Sequence, residues 1–187
     1  MSNNTSNSCS KKYMKKRYLF LFPLFGLLLI LIVKYSTETG NELDAQSLSE
    51  CLFCKIAKGT FSTTKLEFED EEFVIFKDKN PAAKIHYLAV PKQHYDSIKA
   101  LNKSHIGLIE RMQNGMINFL KSKDVDLSVA VIGYHVPPFI SQKHLHLHGI
   151  SPVSEMSVSN RISFFMPSFW FKSSQDVLRS LQRSDLK

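Results

Sequence analysis

The run from Tyr18 to Val33, which contains no charged side chain, restricts the fold of this chain more than any other feature. At a helical rise of about 1.5 Å per residue the run spans about 24 Å, somewhat less than the hydrocarbon thickness of a bilayer. Arg17 and Lys34 flank the run. Their long side chains can extend to the headgroups and so compensate for the short helix. We therefore expect residues 18–35 to form one transmembrane helix.

A cleaved signal peptide is the alternative, because a basic segment followed by an apolar run is also its pattern. No pair of small residues at the required spacing follows Val33 directly, which favours an uncleaved anchor. The positive-inside rule favours a cytoplasmic N-terminus, and the side of the membrane on which the folded domain lies stays open. The predicted organisation is a basic N-terminus (residues 1–17), a transmembrane helix (18–35), a linker (36–49) and one folded domain (50–187).

The positive charge of the chain is concentrated near its N-terminus. The formal net charge is +7, but six Lys and Arg residues and no acidic residue lie before residue 35, which leaves +1 for residues 35–187. A nearly neutral domain lacks the field that attracts polyanions, so we expect no nucleic-acid partner. Three cysteines are too few for a disulfide-built scaffold, so a hydrophobic core must stabilise the domain.

The pattern of the folded region predicts an α+β domain. Helical and alternating apolar spacings indicate a five-stranded antiparallel sheet with one short helix, one long helix and a C-terminal helix. The predicted strands are residues 66–69, 72–77, 85–91, 127–133 and 144–150. The predicted helices are residues 51–58, residues 104–122 and a last helix, which is capped by Ser173 and Asp176 and ends near Arg183.

The most informative segment of the domain is His144-Leu-His-Leu-His148. Alternate residues of a strand share a face, so the three imidazoles should follow one another at about 6.6 Å while Leu145 and Leu147 enter the core. A row of imidazoles binds either a metal ion or a phosphate group, and a solvent-exposed histidine strand is the remaining alternative.

With this segment the chain resembles the histidine triad family, whose mark is His-x-His-x-His. Three further blocks match in family order: Cys51-Leu-Phe-Cys54-Lys-Ile, Phe76-Lys-Asp78 with Asn80-Pro81, and Ile85 to His94. The resemblance covers most of residues 51–183 and implies the histidine triad fold. Segments 133–139 and 168–171 are similar to one branch of the family, which hydrolyses the bond between AMP and an amine.

The resemblance also implies a role for each histidine. His146 matches the nucleophile that attacks the α-phosphorus and forms an adenylyl-histidine, which water then cleaves. His148 would hold phosphate oxygens, His144 and His86 would orient the nucleophile, and Ser141 would help to protonate the leaving amine. A neutral imidazole near pH 7 is a competent nucleophile, because its reference pKa is about 6.5.

The nucleotide-binding residues implied by the resemblance are His146 and His148 at the phosphate, with Asp78 and Lys79 at the ribose and the base. The implied substrate is a purine nucleoside phosphoramidate or an aminoacyl-adenylate. A homodimer is one option, since related branches pair their long helices.

The implied chemistry requires no cofactor. Cys51, Cys54, His94 and His144 nonetheless have the residue types and the family arrangement seen where members bind zinc. Two thiolates and two imidazoles suit zinc, whereas a disulfide between Cys51 and Cys54 is the alternative in an oxidising compartment.

Two other functions stay open beside a membrane-anchored nucleoside phosphoramidase, which the sequence favours. The Tyr134-His-Val-Pro segment resembles a DNA-adenylate hydrolase of the aprataxin type. The nearly neutral domain and the lack of a Cys2His2 zinc finger after residue 150 weigh against that activity. The third candidate is a non-catalytic, membrane-tethered purine nucleotide-binding protein, which has no need of His146.

Overall fold

The computed structural model describes residues 51–61 and 63–183. The predicted basic N-terminus (1–17), transmembrane helix (18–35) and linker (36–49) lie outside these residues, as do residues 50 and 184–187 of the predicted domain. Within the described part of the chain, none of the helices combines the length and the apolar character needed to cross a bilayer.

The described residues fold into an α+β domain with four α-helices and one six-stranded sheet. The helices are α1 (Leu52–Ala57), α2 (Ile106–Ser122), α3 (Val158–Ser163) and α4 (Ser174–Arg183). The strands are β1 (Leu66–Glu69), β2 (Phe73–Lys77), β3 (Ile85–Pro91), β4 (Val131–His135), β5 (Leu147–Ser151) and β6 (Phe171–Ser173). All strand pairs are antiparallel, in the order β1-β2-β3-β5-β4-β6. The predicted α+β class and antiparallel sheet are confirmed.

The predicted number of five strands was wrong, because β6 adds a sixth. This strand has three residues and pairs only with the end of β4, so it is too short for an alternating pattern to reveal it. Helix α3 was also not predicted, since its apolar residues Val158 and Ile162 are exposed and give it no buried stripe. Ser157 caps this helix by accepting a hydrogen bond from the Asn160 backbone N–H.

Helices α2 and α4 cover one face of the sheet. The buried side of α2 has the helical spacing that predicted it: Leu108, Ile109, Met112, Met116, Phe119 and Leu120. It packs in one core with Phe73 and Ile75 of β2 and with Val177, Leu178 and Leu181 of α4. Leu145 and Leu147 are buried in the same core, as predicted. This packing fixes the backbone that carries the three histidines.

The opposite face of the sheet is shared by α1 and the histidines. Phe53 and Ile56 of α1 pack against strands β2 and β3 in a second buried cluster. His148 of β5 lies opposite Leu88 of β3 and Gly133 of β4, and facing residues of an antiparallel pair point to the same side. The histidines therefore occupy the part of this face that lies beside α1.

Gly133 allows β6 to approach β4 closely. A Cβ atom at this position would lie 2.4 Å from the Lys172 carbonyl oxygen and 2.7 Å from the Phe171 ring. Both neighbours belong to β6, so a side chain at Gly133 would push the last strand away from the sheet.

We expect Gly133→Ala to lower the free energy of unfolding by about 1–3 kcal/mol, because the added methyl group has no room. Urea unfolding measures the change. Gly107→Ala in α2 is the matched control, since its Cβ meets the movable end of the Arg111 side chain and alanine favours helix more than glycine does. That variant should be as stable as the wild type or more so, and equal losses in both variants would contradict the prediction.

Candidate active site

Two clusters of polar side chains lie on the histidine side of the sheet. β5 begins at Leu147, so His144 and His146 precede the strand instead of belonging to it. The Leu145 backbone N–H donates to a carbonyl in the loop after β3, at 2.6 Å, and this bond takes the segment out of the β3 ladder. The expected row of three imidazoles on one strand was therefore wrong: His144 belongs to one cluster, and His146 and His148 belong to another.

His146 lies in the first cluster together with His86, His135 and His148. Its Nδ1 is 2.6 Å from the His144 carbonyl oxygen, and a carbonyl only accepts, so we assign the ring proton to Nδ1. Burial lowers the pKa of His146. The imidazole is therefore neutral at pH 7 and carries its lone pair on Nε2.

A chain of hydrogen bonds determines which nitrogen of His148 carries the proton. The Ala82 backbone N–H donates to His86 Nδ1 at 3.0 Å, so the proton of a neutral His86 is on Nε2. That N–H donates to His148 Nδ1 at 2.9 Å, which leaves the His148 proton on Nε2. Burial lowers the pKa of His86 to about 4 and that of His148 well below its usual value, so both rings are neutral.

His148 Nε2 is buried and has no hydrogen-bond partner among the described residues. A buried donor without a partner costs free energy, and a ligand oxygen would satisfy it. The ring centroids of His146 and His148 are 4.8 Å apart. The cluster thus presents a bare nitrogen beside an N–H donor, which suits attack on a phosphorus atom and stabilisation of its oxygens.

His135 belongs to this cluster, although the sequence analysis did not single it out. It follows Gly133 by two residues on β4 and so faces the same side as His148, with ring centroids 5.1 Å apart. Its Nδ1 is also buried without a hydrogen-bond partner in the described chain. The alternation of side chains along a strand could have placed His135 on the histidine side. The predicted strand ended at Gly133, two residues before the end of β4, and therefore left His135 out.

The other predicted site residues lie at the edge of the cluster or on the surface. Asp78 Oδ2 is 3.4 Å from His86 Nε2, and Asp78 Oδ1 accepts the Asn80 backbone N–H at 2.8 Å. Ser141 and Lys79 are exposed. The structure therefore brings Asp78 to the histidines through His86 and leaves Ser141 and Lys79 at the surface.

The second cluster consists of Cys51, Cys54, His94 and His144. Cys54 Sγ lies 3.3 Å from His94 Nδ1 and 3.4 Å from His144 Nδ1, and Cys51 Sγ lies 3.4 Å from His144 Nδ1. All four ligand atoms are within 4.8 Å of one another. Tetrahedral zinc with its usual bond lengths separates sulfur from nitrogen by about 3.5 Å, so this donor set fits a zinc ion.

The outer nitrogens of both histidines in this second cluster are hydrogen-bonded. His144 Nε2 is 2.9 Å from the Pro91 carbonyl oxygen, and His94 Nε2 is 2.9 Å from the Asp96 carboxylate. Both partners accept, which turns the Nδ1 lone pairs toward the sulfur atoms, as in many zinc sites. Burial and the neighbouring thiol raise the pKa of Cys54 to about 11, so a bound cation is needed to keep it as a thiolate at pH 7.

Comparison with known proteins identifies the family. Residues 50–163, more than half of the chain, match the family model described as scavenger mRNA decapping enzyme C-term binding. The fold matches the structure of a histidine triad protein from Clostridium difficile with a TM-score of 0.51 and 30% identity, over 54% of this chain and 89% of that chain. The chain belongs to the histidine triad family. The resemblance seen in the sequence is thereby confirmed.

Two curated relatives bear on the branch of the histidine triad family. Adenosine 5'-monophosphoramidase HINT3 of Mus musculus is 41% identical over 137 residues, which are 72% of this chain and 83% of the relative. Aprataxin of Danio rerio is 30% identical over 129 residues, which are 67% of this chain and 39% of the relative. This histidine triad chain is therefore similar to most of the phosphoramidase and to a smaller part of aprataxin.

The depressed pKa values of the buried histidines should make the fold sensitive to acid. Such a histidine binds a proton more readily after unfolding, so its contribution to stability is present above about pH 6.5 and is lost as the pH falls toward the folded-state pKa. For His86, whose folded-state pKa is about 4, we expect the free energy of unfolding to fall by roughly 1–2 kcal/mol between pH 7 and pH 5. Urea unfolding across this range measures the slope.

The contribution of His86 can be isolated with matched variants. His86→Gln should flatten the slope, because glutamine does not titrate. His105→Gln, which lies outside both clusters, should retain the wild-type slope. An unchanged slope in His86→Gln would contradict the assignment of a depressed pKa to this histidine.

Proposed function

We propose that this histidine triad protein is an adenosine 5'-monophosphoramidase, a hydrolase that cleaves the P–N bond of AMP-amine and AMP-lysine conjugates. The observation that carries the proposal is the bare Nε2 of His146 beside the unpartnered Nε2–H of His148. The similarity to a relative named adenosine 5'-monophosphoramidase supports the same chemistry.

In the first half of the reaction, His146 Nε2 attacks the α-phosphorus and the P–N bond breaks. The amine leaves with the bonding electrons and takes up a proton, which Ser141 helps to deliver. The resulting adenylyl-histidine has a positively charged ring, and the His144 carbonyl stabilises that charge through the bond to Nδ1–H. His148 Nε2–H donates to a non-bridging oxygen, where negative charge develops in the transition state.

In the second half, water attacks the phosphorus of the adenylyl-histidine. The bond between phosphorus and Nε2 breaks, its electrons return to His146, and the water proton passes to solvent as AMP is released. Asp78 and Lys79 hold the ribose and the base during both halves. Asp78 also contacts His86, and the Nε2–H of His86 determines which nitrogen of His148 carries the proton. The residue that binds the ribose therefore also contacts the hydrogen-bond chain that ends at His148.

The two alternative functions fit the described site less well. A DNA-adenylate hydrolase needs a basic surface for its polyanionic substrate, whereas residues 35–187 carry a net charge of +1. A nucleotide-binding protein without activity would have no use for the bare nitrogen of His146. The phosphoramidase uses both the nitrogen and the donor beside it.

We further propose that the enzyme is a single-pass membrane protein anchored by residues 18–35. The uncharged run and its basic flanks support this location. A homodimer through α2 stays a prediction from the family resemblance.

His146→Ala should lower the rate of hydrolysis of an adenosine phosphoramidate by about 1000-fold or more, because the covalent route is lost. AMP binding should change by only a small factor, since His148 and Asp78 remain. A fluorogenic adenosine phosphoramidate measures turnover, and titration calorimetry measures AMP binding.

Trapping the intermediate completes this test. Wild-type protein quenched during turnover should carry one acid-labile adenylyl group, which mass spectrometry should locate on His146. His105→Ala, outside the histidine clusters, should hydrolyse and trap like the wild type. Wild-type rates in His146→Ala would refute the covalent mechanism, and AMP binding without any turnover by the wild type would favour the non-catalytic alternative.

We also propose that Cys51, Cys54, His94 and His144 bind a structural zinc ion. With four protein ligands the site has no open position, so zinc would supply stability rather than a reactive water. The ion would join the start of α1 to the segment before β5. It would thereby hold the backbone carbonyl that orients His146.

Zinc should raise the unfolding temperature of the wild type and leave that of Cys54→Ser unchanged, because this cysteine contacts both histidine ligands. Cobalt in place of zinc should give the visible absorption of tetrahedral thiolate coordination. Cys9→Ser removes the third cysteine of the chain and should keep both effects. An equal temperature shift in Cys54→Ser and the wild type would exclude this site.

A further inference from the structure

Beyond the two histidine clusters, a group of large apolar side chains is exposed on the domain surface. It consists of Phe139, Val158, Ile162, Phe165 and Phe169 together with Trp170, and we call it the aromatic ridge. The exposed fractions of the first five range from 50% for Phe139 to 76% for Val158. Trp170 is partly buried.

Contacts of Phe169 and Trp170 join most of the aromatic ridge. The Phe169 ring centroid lies 5.5 Å from that of Phe139 and 4.7 Å from that of Trp170. Trp170 Nε1–H donates to the Ile162 carbonyl at 3.0 Å, which joins the ridge to α3. Val158 lies one helical turn before Ile162 and shares its face of the helix. Phe139, Phe169, Trp170 and α3 are therefore joined at one surface, and Phe165 lies between α3 and Phe169 along the chain.

Buried neighbours hold the aromatic ridge in place. Phe171, which follows Trp170, is fully buried in β6. Phe164, which precedes Phe165, packs against the His148 ring at 5.2 Å. Residues of the ridge are thus exposed while their neighbours in the chain are buried and hold the backbone in place. A contiguous apolar patch kept exposed in this way marks an interaction site.

The charges near the aromatic ridge in sequence favour an anionic partner. Residues 139–172 contain the cations Lys143, Arg161 and Lys172 and a single acidic residue, Glu155. Arg161 donates to the Met156 and Ser154 carbonyls. Exposed aromatic rings in a segment with excess positive charge are typical of proteins that enter the headgroup region of a membrane.

We propose that the aromatic ridge binds the surface of a phospholipid bilayer. The choice of this partner rests on the proposed membrane anchor, because the uncharged run of residues 18–33 is expected to lie in a bilayer. Lipid is then the apolar surface that the domain meets at the highest effective concentration, and a tether strengthens a contact that would be weak by itself. The proposal does not depend on the hydrolytic chemistry of the histidines.

Trp170 provides a direct probe, because it is the single tryptophan of the chain. The full chain is reconstituted in vesicles of phosphatidylcholine and phosphatidylserine, with ordinary or brominated acyl chains. Bromine quenches indole only at short range, so we expect about twofold less Trp170 fluorescence in the brominated vesicles if the ridge reaches the boundary between headgroups and acyl chains. Flotation of the same samples reports whether the chain is attached to the vesicles at all.

Two variants identify the contact. Phe165→Ser combined with Phe169→Ser should abolish most of the quenching and keep both flotation and phosphoramidate hydrolysis. Phe68→Ser is the matched control, since Phe68 is also exposed but lies on β1, at the opposite edge of the sheet from β6. This control should be quenched like the wild type, and circular dichroism checks that both proteins are folded.

Three results would overturn the proposal. Equal fluorescence in brominated and ordinary vesicles, with the chain afloat, would mean that the anchor holds the chain but the aromatic ridge does not touch lipid. Full quenching in the double variant would mean that Trp170 meets lipid without any contribution from Phe165 and Phe169. Loss of hydrolysis in a folded double variant, without quenching in the wild type, would assign the ridge to the substrate instead.

Discussion

The hydrogen bond from His146 Nδ1–H to the His144 carbonyl oxygen, at 2.6 Å, is the interaction on which the histidine site depends. It holds the ring of His146 and leaves the lone pair on Nε2, where a phosphorus atom can be attacked. The carbonyl is itself held, because the His144 side chain contacts Pro91 on one side and the two thiols on the other. The two clusters are therefore joined through one residue, with its backbone in one and its side chain in the other.

Burial gives the first cluster its chemical character. Desolvation disfavours protonation, so the pKa values of His86, His146 and His148 all fall, and the neighbouring imidazoles lower those of His86 and His148 further. The rings stay neutral at pH values where a free imidazole is partly protonated. The cost is a buried N–H on His148 without a partner in the described chain, and a phosphate oxygen would remove that cost. The site can thus bind an anionic ligand without a change in side-chain conformation.

The sequence predicted the parts of the fold that depend on regular burial. Helix α2, strands β2 and β3 and the inward positions of Leu145 and Leu147 follow directly from apolar periodicity. Short or exposed elements escaped, since β6 has three residues and α3 buries no apolar stripe. The candidate site was likewise predicted in part. The residue types and blocks identified both clusters, but the separation of His144 from His146 depends on a tertiary hydrogen bond of the Leu145 N–H, which no local pattern encodes.

The position of β6 has a further consequence for copies of the domain that meet at high local density. β6 is the edge strand here and covers β4 from Gly133 to His135, and its three residues offer only a short edge to another chain. At the other edge, β1 carries Glu67 and Glu69, both in ion pairs with lysines, and charged side chains on an edge strand discourage strand addition. Neither edge of the sheet therefore favours the addition of a strand from another molecule. Domains at high local concentration would therefore resist growing into β-aggregates, and any specific assembly would have to form through side-chain surfaces.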